Sequence, residues 1–464
     1  MKDNSRKLTL NKSTIAKLNT TMIKTFNYFF ILVVLFLNSH LLLSQNEYLK
    51  YDSSIYCIGI DKMPKVKSDW KSFIIENSVP LKSIESDSFA DLQFLKTLLS
   101  DKQYVFLGES SHTCEEYSKM KYRLIRFLSQ EMGFEVIAFE SNMWDCHNIN
   151  MQKNDLDTKQ MLINSIYGVW HTTTLLDMMD YIKRKNLTLA GFDIKESGLP
   201  DYLYEKNTLS KMNSSLASEA INTLEDYYAY KKYLGQNNYF HKERKIEPRF
   251  YTWGNEIITS LTMLRDSLIE LIKMHPHDID LQVYCKDIEN KTTYTGFLVA
   301  ENGSSIALSE KRDSLMAATF TWLVQKVFPD KKIIIWAHNA HIAACNVQYV
   351  KRMGAWLSDT IKQKSYTIGL YMHRGTVYYK KMGKVRKPYK NSLEAIMIQP
   401  AYKYAFLDFA ERTKTEGNSW LFNKTPTTYW GTSKENLVLK DAYDGIILID
   451  SVSSPNYLFD FMED

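Results

Sequence analysis

Two short polar segments each follow an apolar run of strand length. Tyr104-Val-Phe-Leu107 runs into Gly108-Glu109-Ser110-Ser111-His112, and Ile333-Ile-Ile-Trp336 runs into Ala337-His338-Asn339-Ala340-His341. Brief apolar runs bounded by turn signals read as buried strands. Glu and His are seldom held so close to a core without a task. In parallel α/β sheets the crevice beyond the carboxyl ends of the strands is where ligands bind. The two segments are more than 220 residues apart yet share one layout, so a single site with the segments as opposing walls is expected.

The residue types suggest acid–base chemistry. Glu109 and His112 fall in a turn that opens a helix, where free N–H groups and the positive dipole end would face the site. That field disfavours imidazolium, so a neutral His112 suits a general base, and Glu109 could orient its ring through a hydrogen bond. The plainer reading of Glu-x-x-His is an N-terminal capping arrangement. Glu140 directly follows the apolar run Glu135–Phe139, and Asp193 follows Leu187–Ala190 through Gly191-Phe192. Both acids are therefore expected at strand exits beside His112; a structural ion-pair network is the alternative. His338 and His341 could join Glu109, His112 or Glu140 on a divalent ion, or act as oxyanion donors and substrate clamps. The chain has no His-Glu-x-x-His helix and no Cys/His set with zinc spacing, so the reading without metal or other cofactor is preferred. It also has no Gly-x-Ser-x-Gly elbow, no Gly-x-x-x-x-Gly-Lys-Ser/Thr loop and no Gly-x-Gly-x-x-Gly turn. A serine-elbow hydrolase and the common nucleotide folds are thereby set aside.

These residues need a scaffold that brings strand ends together. A helix from about Cys114 to Glu131 carries Tyr117, Met120, Leu124, Phe127 and Leu128 at intervals of three or four, and Gly133 ends it. Strand Glu135–Phe139, a helix near Leu175–Lys185 and strand Leu187–Ala190 follow. This alternation predicts an α/β fold with a mainly parallel sheet flanked by helices. Residues 200–330 show helical patterns and little strand character, which predicts a helical insertion or subdomain, in the manner of a lid. The aromatic and basic tract Tyr227–Trp253 reads as a solvated helical face, with a ligand grip as the sharper alternative. Sheet structure resumes at 332–336 and 366–371, a mixed region spans 375–435, and strand Gly445–Ile449 ends in Asp450. The expected organisation is a signal peptide at 1–44, a first α/β half at 45–199, the helical region at 200–330 and a second α/β half at 331–464.

Of the net charge of +5, six basic residues and one acid lie in residues 1–45, leaving 52 basic and 52 acidic residues in the rest. The remainder therefore has no basic excess to suit nucleic acid. The same leader carries the apolar run Phe26–Leu37 and then Leu41-Leu-Leu-Ser44, the pattern of a secretory signal with a cut after Ser44. A secreted or periplasmic protein with no membrane span after cleavage is expected; an uncleaved anchor is the alternative. Five scattered cysteines form no CxxC pair, which excludes a disulfide scaffold. Cys114, two residues past His112, reads as a small buried side chain rather than a nucleophile.

Taken together, Leu107–His112, Arg123 with Phe127-Leu128, Gly133–Glu140 and Gly191-Phe-Asp193 resemble the first half of the erythromycin esterase family. Arg312-Asp313 with Met316-Ala317, Trp336–His341 with Met353-Gly354, and Tyr443–Asp450 resemble its second half, in order, over about residues 70–450. The resemblance implies hydrolysis of an ester or lactone, as in macrolide resistance, by water activated by His112. Glu109, Glu140, His338 and His341 would line that centre, and Asn339, Asp193 and Arg312 would bind the substrate, a small molecule. Where the family commonly has Gly after the first His and a basic residue two positions on, this chain has Thr113 and Glu115. That difference implies negative charge at the mouth of the site and an altered substrate.

Overall fold

The strand-forming runs of the sequence are apolar at successive positions, so their side chains must be buried on both faces of a sheet. In the computed structural model, which describes residues 55–57, 60, 62–198, 200–236, 247–301, 305–379 and 381–459, they are. The strands are β1 (Val79–Pro80), β2 (Tyr104–Leu107), β3 (Val136–Asn142), β4 (Thr188–Asp193), β5 (Ile333–Trp336), the short β6 (Asn346–Val347) and β7 (Val350–Lys351), β8 (Ser365–Tyr379), β9 (Lys381–Lys384), β10 (Tyr404–Asp408), the hairpin β11 (Lys424–Tyr429) and β12 (Ser433–Val438), and β13 (Gly445–Val452). The expected leader, 1–44, lies outside the described residues, as does part of the tract 227–253.

Nine strands form one sheet in the order β1-β10-β13-β8-β2-β5-β3-β4, with β9 pairing β8. From β13 to β4 every neighbouring pair is parallel, while β1, β10 and β9 add antiparallel pairs at the margins. The expected class is thus observed: an α/β fold with a mainly parallel sheet flanked by helices and a helical region. Strand β10 was not legible within the mixed 375–435 stretch; it pairs antiparallel to β13 from Tyr404↔Ile449 to Asp408↔Gly445.

Side-chain alternation along the strands divides the interior in two. Tyr104, Phe106, Val136, Ala138, Ile333 and Ile335 pack on one face with the helices that join β4 to β5. Val105, Leu107, Ile137, Phe139, Ile334 and Trp336 pack on the other, with the helices Glu115–Met132 and Thr173–Arg184. The helix Glu115–Met132 buries the expected Tyr117, Met120, Leu124, Phe127 and Leu128 and closes at Gly133. Truncating one of these, Leu124→Ala for instance, costs about 2–5 kcal/mol by the usual cavity and transfer terms. Between β4 and β5 run the long helices Ser214–Gln236, Pro248–Met274, Ile279–Ala300 and Ser305–Trp322. The second of these buries Ile257, Leu261, Leu264, Leu268 and Leu271, one helical stripe. Among the described residues no helix is long and apolar enough to cross a membrane. Five free cysteines are present, and Cys114 is fully buried.

Candidate active site

Sheet register fixes the site. Leu107 pairs with Trp336, and Trp336 with Phe139. The residues that follow these three therefore leave the sheet at one level: Gly108-Glu109 from β2, Ala337-His338 from β5 and Glu140 in β3. The chain runs from β2 through a helix to β3, and β5 later enters between them. That insertion makes this a topological switch point, where α/β sheets hold ligands. The two polar segments are neighbours on adjacent strands rather than opposing walls: the Asn339 N–H donates to the Glu109 carbonyl at 2.8 Å. Glu140 and Asp193 lie inside longer strands than expected, β3 continuing to Asn142 and β4 to Asp193. Between Phe139 and Asn142 the β3–β4 register slips, a bulge of the kind that re-aims side chains beside active sites. Gly191 accommodates it, since a Cβ there would lie 2.1 Å from the Asn142 carbonyl.

Glu109 is completely buried and surrounded by donors. Its Oε1 accepts from His112 Nδ1 at 2.6 Å and from the Trp170 indole N–H at 3.0 Å. Its Oε2 is 2.6 Å from Lys121 Nζ. Lys121 is itself wholly buried, with Nζ 3.8 Å above the centre of the Trp336 ring, within cation–π range. Burial drives the Lys121 ammonium down to about 8, against the pull of Glu109 and Glu140. Because the carboxylate sits on Nδ1, that nitrogen carries the proton of neutral His112 and Nε2 is the basic one; the tautomer follows from the network. The His112 side chain is 14% exposed. Its ring stands edge-on among Trp170, His338 and Trp430, at 4.9, 5.1 and 5.0 Å between centroids.

His338 caps the short helix Asn339–Ile342: its Nδ1 accepts the Ala340 N–H at 3.1 Å. The proton of the neutral ring is therefore on Nε2, which is buried and has no hydrogen-bond partner. Burial, then the neighbouring His112 and His341, hold His338 well below the usual histidine range, opposed by the Glu140 charge and more weakly by the Ser110 carbonyl. That carbonyl takes its hydrogen bond from the Trp430 N–H at 3.0 Å. Trp430 stacks on the His338 ring at 4.8 Å and Tyr429 meets it edge-on at 5.4 Å, so the turn of the β11–β12 hairpin walls the site.

Glu140 bridges the two segments. Its Oε2 accepts the His338 backbone N–H at 2.9 Å; its Oε1 lies 3.1 Å from Arg312 Nη2 and 3.2 Å from His341 Nε2. Burial opposes its charge, but His341, His112 and Arg312 outweigh that and hold Glu140 well below the usual carboxylate range. His341 Nδ1 is 2.7 Å from Asp313 Oδ1. Here too burial opposes charge, yet Asp313 and Glu140 push His341 up to about 9.

Glu109, His112, Glu140, His338 and His341 are thus brought together, but several expectations change in detail. His341 has both nitrogens on carboxylates and no donor left for an oxyanion. The Asn339 amide is engaged by the backbone of β8: its Nδ2 donates to the Leu370 carbonyl at 2.8 Å and its Oδ1 accepts the Leu370 N–H at 3.1 Å. Gly108 makes room for it, since a Cβ there would lie 2.0 Å from that Oδ1. Asp193 is buried and taken up by Arg312 Nε (2.9 Å) and Nη2, the Tyr167 hydroxyl (2.9 Å) and the Ile194 N–H (2.7 Å). It is the counter-ion of Arg312, whose own Nε and Nη2 are spent on Asp193 and Glu140. Finally, the first N–H of the helix is not free for the site, because the Glu115 N–H bonds the Ser453 carbonyl at 2.9 Å. Glu115 is also buried, accepting from the Thr174 hydroxyl at 2.6 Å, rather than lining the mouth.

Lys121, Trp170, Tyr429 and Trp430 escaped the sequence reading. Lys121 alone left a trace: a lysine on the apolar face of an amphipathic helix, one turn before Leu124 and four residues after Tyr117. Among the described residues no group of three or more His, Cys, Asp or Glu side chains is arranged to hold a metal ion. The carboxylates of the centre are turned to Lys121, Arg312, His341 and backbone N–H groups instead.

Comparison with known proteins agrees with the geometry. The family model described as erythromycin esterase matches residues 129–452. YbfO of Bacillus subtilis (strain 168), named provisionally as a hydrolase, is 28% identical over 429 residues, covering 83% of this chain and 91% of its own. Among solved structures, a succinoglycan biosynthesis protein superposes with a TM-score of 0.68 at 21% identity, covering 84% of this chain and 98% of its own. An erythromycin esterase mutant, EreC in its open conformation, gives 0.56 at 18% identity, with 80% and 96% covered.

Proposed function

This chain belongs to the erythromycin esterase family, and from that premise we propose that it is a hydrolase cleaving a carboxylic ester or lactone with water activated by His112. The observation that carries this reading is the disposition of ring nitrogens. In His112 the Nδ1 is tied to buried Glu109, which leaves Nε2 as the base. In His338 the Nδ1 is tied to a backbone N–H, which leaves an unpartnered Nε2–H as a donor. Within one 5.1 Å ring contact the site therefore offers a base for water and a donor for a carbonyl oxygen.

In this reading a water on His112 Nε2 gives up its proton as its oxygen attacks the ester carbonyl. The C=O bond becomes a C–O⁻, and the oxyanion accepts a hydrogen bond from the His338 Nε2–H. The imidazolium formed on His112 is stabilised by Glu109 through Nδ1 and by the nearby charge of Glu140. Collapse of the intermediate expels the alkoxide, which receives the proton from His112. General-base help contributes roughly 10²–10⁴-fold, and one oxyanion donor roughly 10²–10³-fold. Arg312 and His341 hold Glu140 ionised, and Trp170, Tyr429 and Trp430 provide an apolar surround for a small-molecule substrate. No step calls for a metal. The basic and apolar leader supports a secreted or periplasmic location.

The test is turnover of an ester and lactone panel by the purified protein and by His112→Ala and His338→Ala. Loss of about 10³-fold or more is expected in the first and about 10²-fold in the second. Wild-type rates in His112→Ala would remove the basis of the mechanism.

A further inference from the structure

A second polar pocket, sharing no residue with the His112 centre, lies between the helix Met143–Gln152 and the helices that follow β4. We propose that it binds the ammonium head of an organic amine. The pocket has a volume of about 20 Å³, room for an ammonium head alone, and is lined by Trp144, Tyr228 and Tyr284 together with the carboxylates of Asp145, Asp201, Glu205 and Asp287 and the Lys291 ammonium.

Charge is the first argument. Asp287 and Lys291, in the same lining, pair with each other. That leaves Asp145, Asp201 and Glu205, none of which makes an ion pair among the described residues. Asp145 accepts the Ser197 and Gly198 N–H groups at 2.8 and 2.9 Å, and Asp201 accepts from Asn148 Nδ2 and the Leu203 N–H at 3.3 and 3.1 Å. Backbone and amide dipoles anchor these groups without neutralising them. Burial pushes Asp145 up to about 6 and Glu205 above the usual carboxylate range, and the nearby Lys291 charge offsets this only in part.

Glu205 supplies the second, independent argument. It is 1% exposed, and its Oε1 accepts the Tyr284 hydroxyl at 2.7 Å, but its Oε2 is buried with no partner at all. Leaving a buried carboxylate oxygen unmade is costly unless something visits it. The aromatic lining points to what that is. Trp144 stands against Tyr284 at 4.8 Å and against Tyr204 at 4.9 Å, with Tyr204 and Tyr284 5.0 Å apart. Ring faces beside carboxylates attract a poorly hydrated organic cation more than a small hard ion. The exposed Asp201 marks the mouth, through which an alkyl chain would leave.

Titrating the full-length protein with n-butylammonium chloride by calorimetry, against potassium chloride at equal ionic strength, decides the matter. Saturable heat with the amine and none with potassium is expected, with affinity lowered at least tenfold in Glu205→Gln. If that variant fails to fold, Asp201→Asn on the rim decides instead: a threefold or greater loss supports the site. No saturation, equal response to potassium, or unchanged affinity in a folded Glu205→Gln overturns the proposal, as does unchanged affinity in Asp201→Asn where that variant decides.

Discussion

Replacing Glu109 by Gln removes one charge from the centre while keeping its shape, and the structure dictates which way the amide will turn. With the amide oxygen at the Oε1 position, the bonds from His112 Nδ1 and Trp170 survive, and the NH₂ meets Lys121. Lys121 can then release its proton. Burial already drives it down to about 8 against the pull of Glu109, so without that charge it falls further and the proton is given up readily, with any loss falling on stability. The opposite turn sets the NH₂ against two donors; at ~1–3 kcal/mol for each unmade bond it costs roughly 2–6 kcal/mol and reverses the His112 tautomer. The first arrangement wins. What catalysis loses is the difference between a charge-assisted and a neutral hydrogen bond to the forming imidazolium, about 1–2 kcal/mol. That converts to a kcat lowered roughly 5- to 30-fold with KM little changed. The assay is release of p-nitrophenolate from an ester on which the wild-type enzyme turns over, beside His112→Ala. A wild-type kcat in Glu109→Gln would refute its orienting role. A loss as deep as that of His112→Ala would refute the argument about which way the amide turns.

Other outcomes follow from the same network. His341 has a folded value near 9, above its ordinary 6.5, so its contribution is complete below about 6.5 and disappears as pH rises through 9. His341→Gln should therefore cost up to roughly 3 kcal/mol in urea unfolding at pH 6 and much less at pH 10; an equal cost at both would contradict the assignment. Arg312→Met strands Asp193 and Glu140 as buried carboxylates and should destabilise by about 3–5 kcal/mol, read as a lowered midpoint of denaturation. Trp430→Ala should reduce kcat/KM about tenfold by opening the wall over His112 and His338 to water, and a solvent-insensitive rate would count against it. Prolonged dialysis against a chelator should leave kcat within about twofold; loss restored by added zinc or manganese would replace the metal-free mechanism with one of metal-assisted water.

Much of this centre was legible because strand ends reveal themselves. An apolar run that stops at Glu109, Glu140, Asp193 or His338 places those side chains along one rim, and parallel pairing does the rest. What the pattern could not convey was the state of each group. Asn339 and Asp193 look like ligands for a substrate until the Leu370 backbone and Arg312 are found on them. His338 and His341 look equivalent, yet a backbone N–H on one and two carboxylates on the other give them opposite charge states. Lys121, Trp170 and Trp430 come from a helix, a 3-10 turn and a hairpin turn, and period alone marks the first two as core and the third as loop. Strand β10 was hidden because Tyr404–Asp408 has few turn signals around it and earns its strand geometry from β13.

The order of the strands has a consequence for how the chain acquires its shape. Strand β2, which carries Glu109 towards His112, lies between β5 and β8 and finds both neighbours more than 220 residues further along. Non-local pairing of this kind slows folding, because the loop must close before any contact rewards it. A nascent chain ending before Ile333 would hold β2, β3 and β4 with open, apolar edges, the surfaces on which collapsed intermediates aggregate. Folding of the candidate active centre is therefore a late, near-complete-chain event: fragments of the first half should be insoluble, and recovery after denaturation should fall steeply with protein concentration.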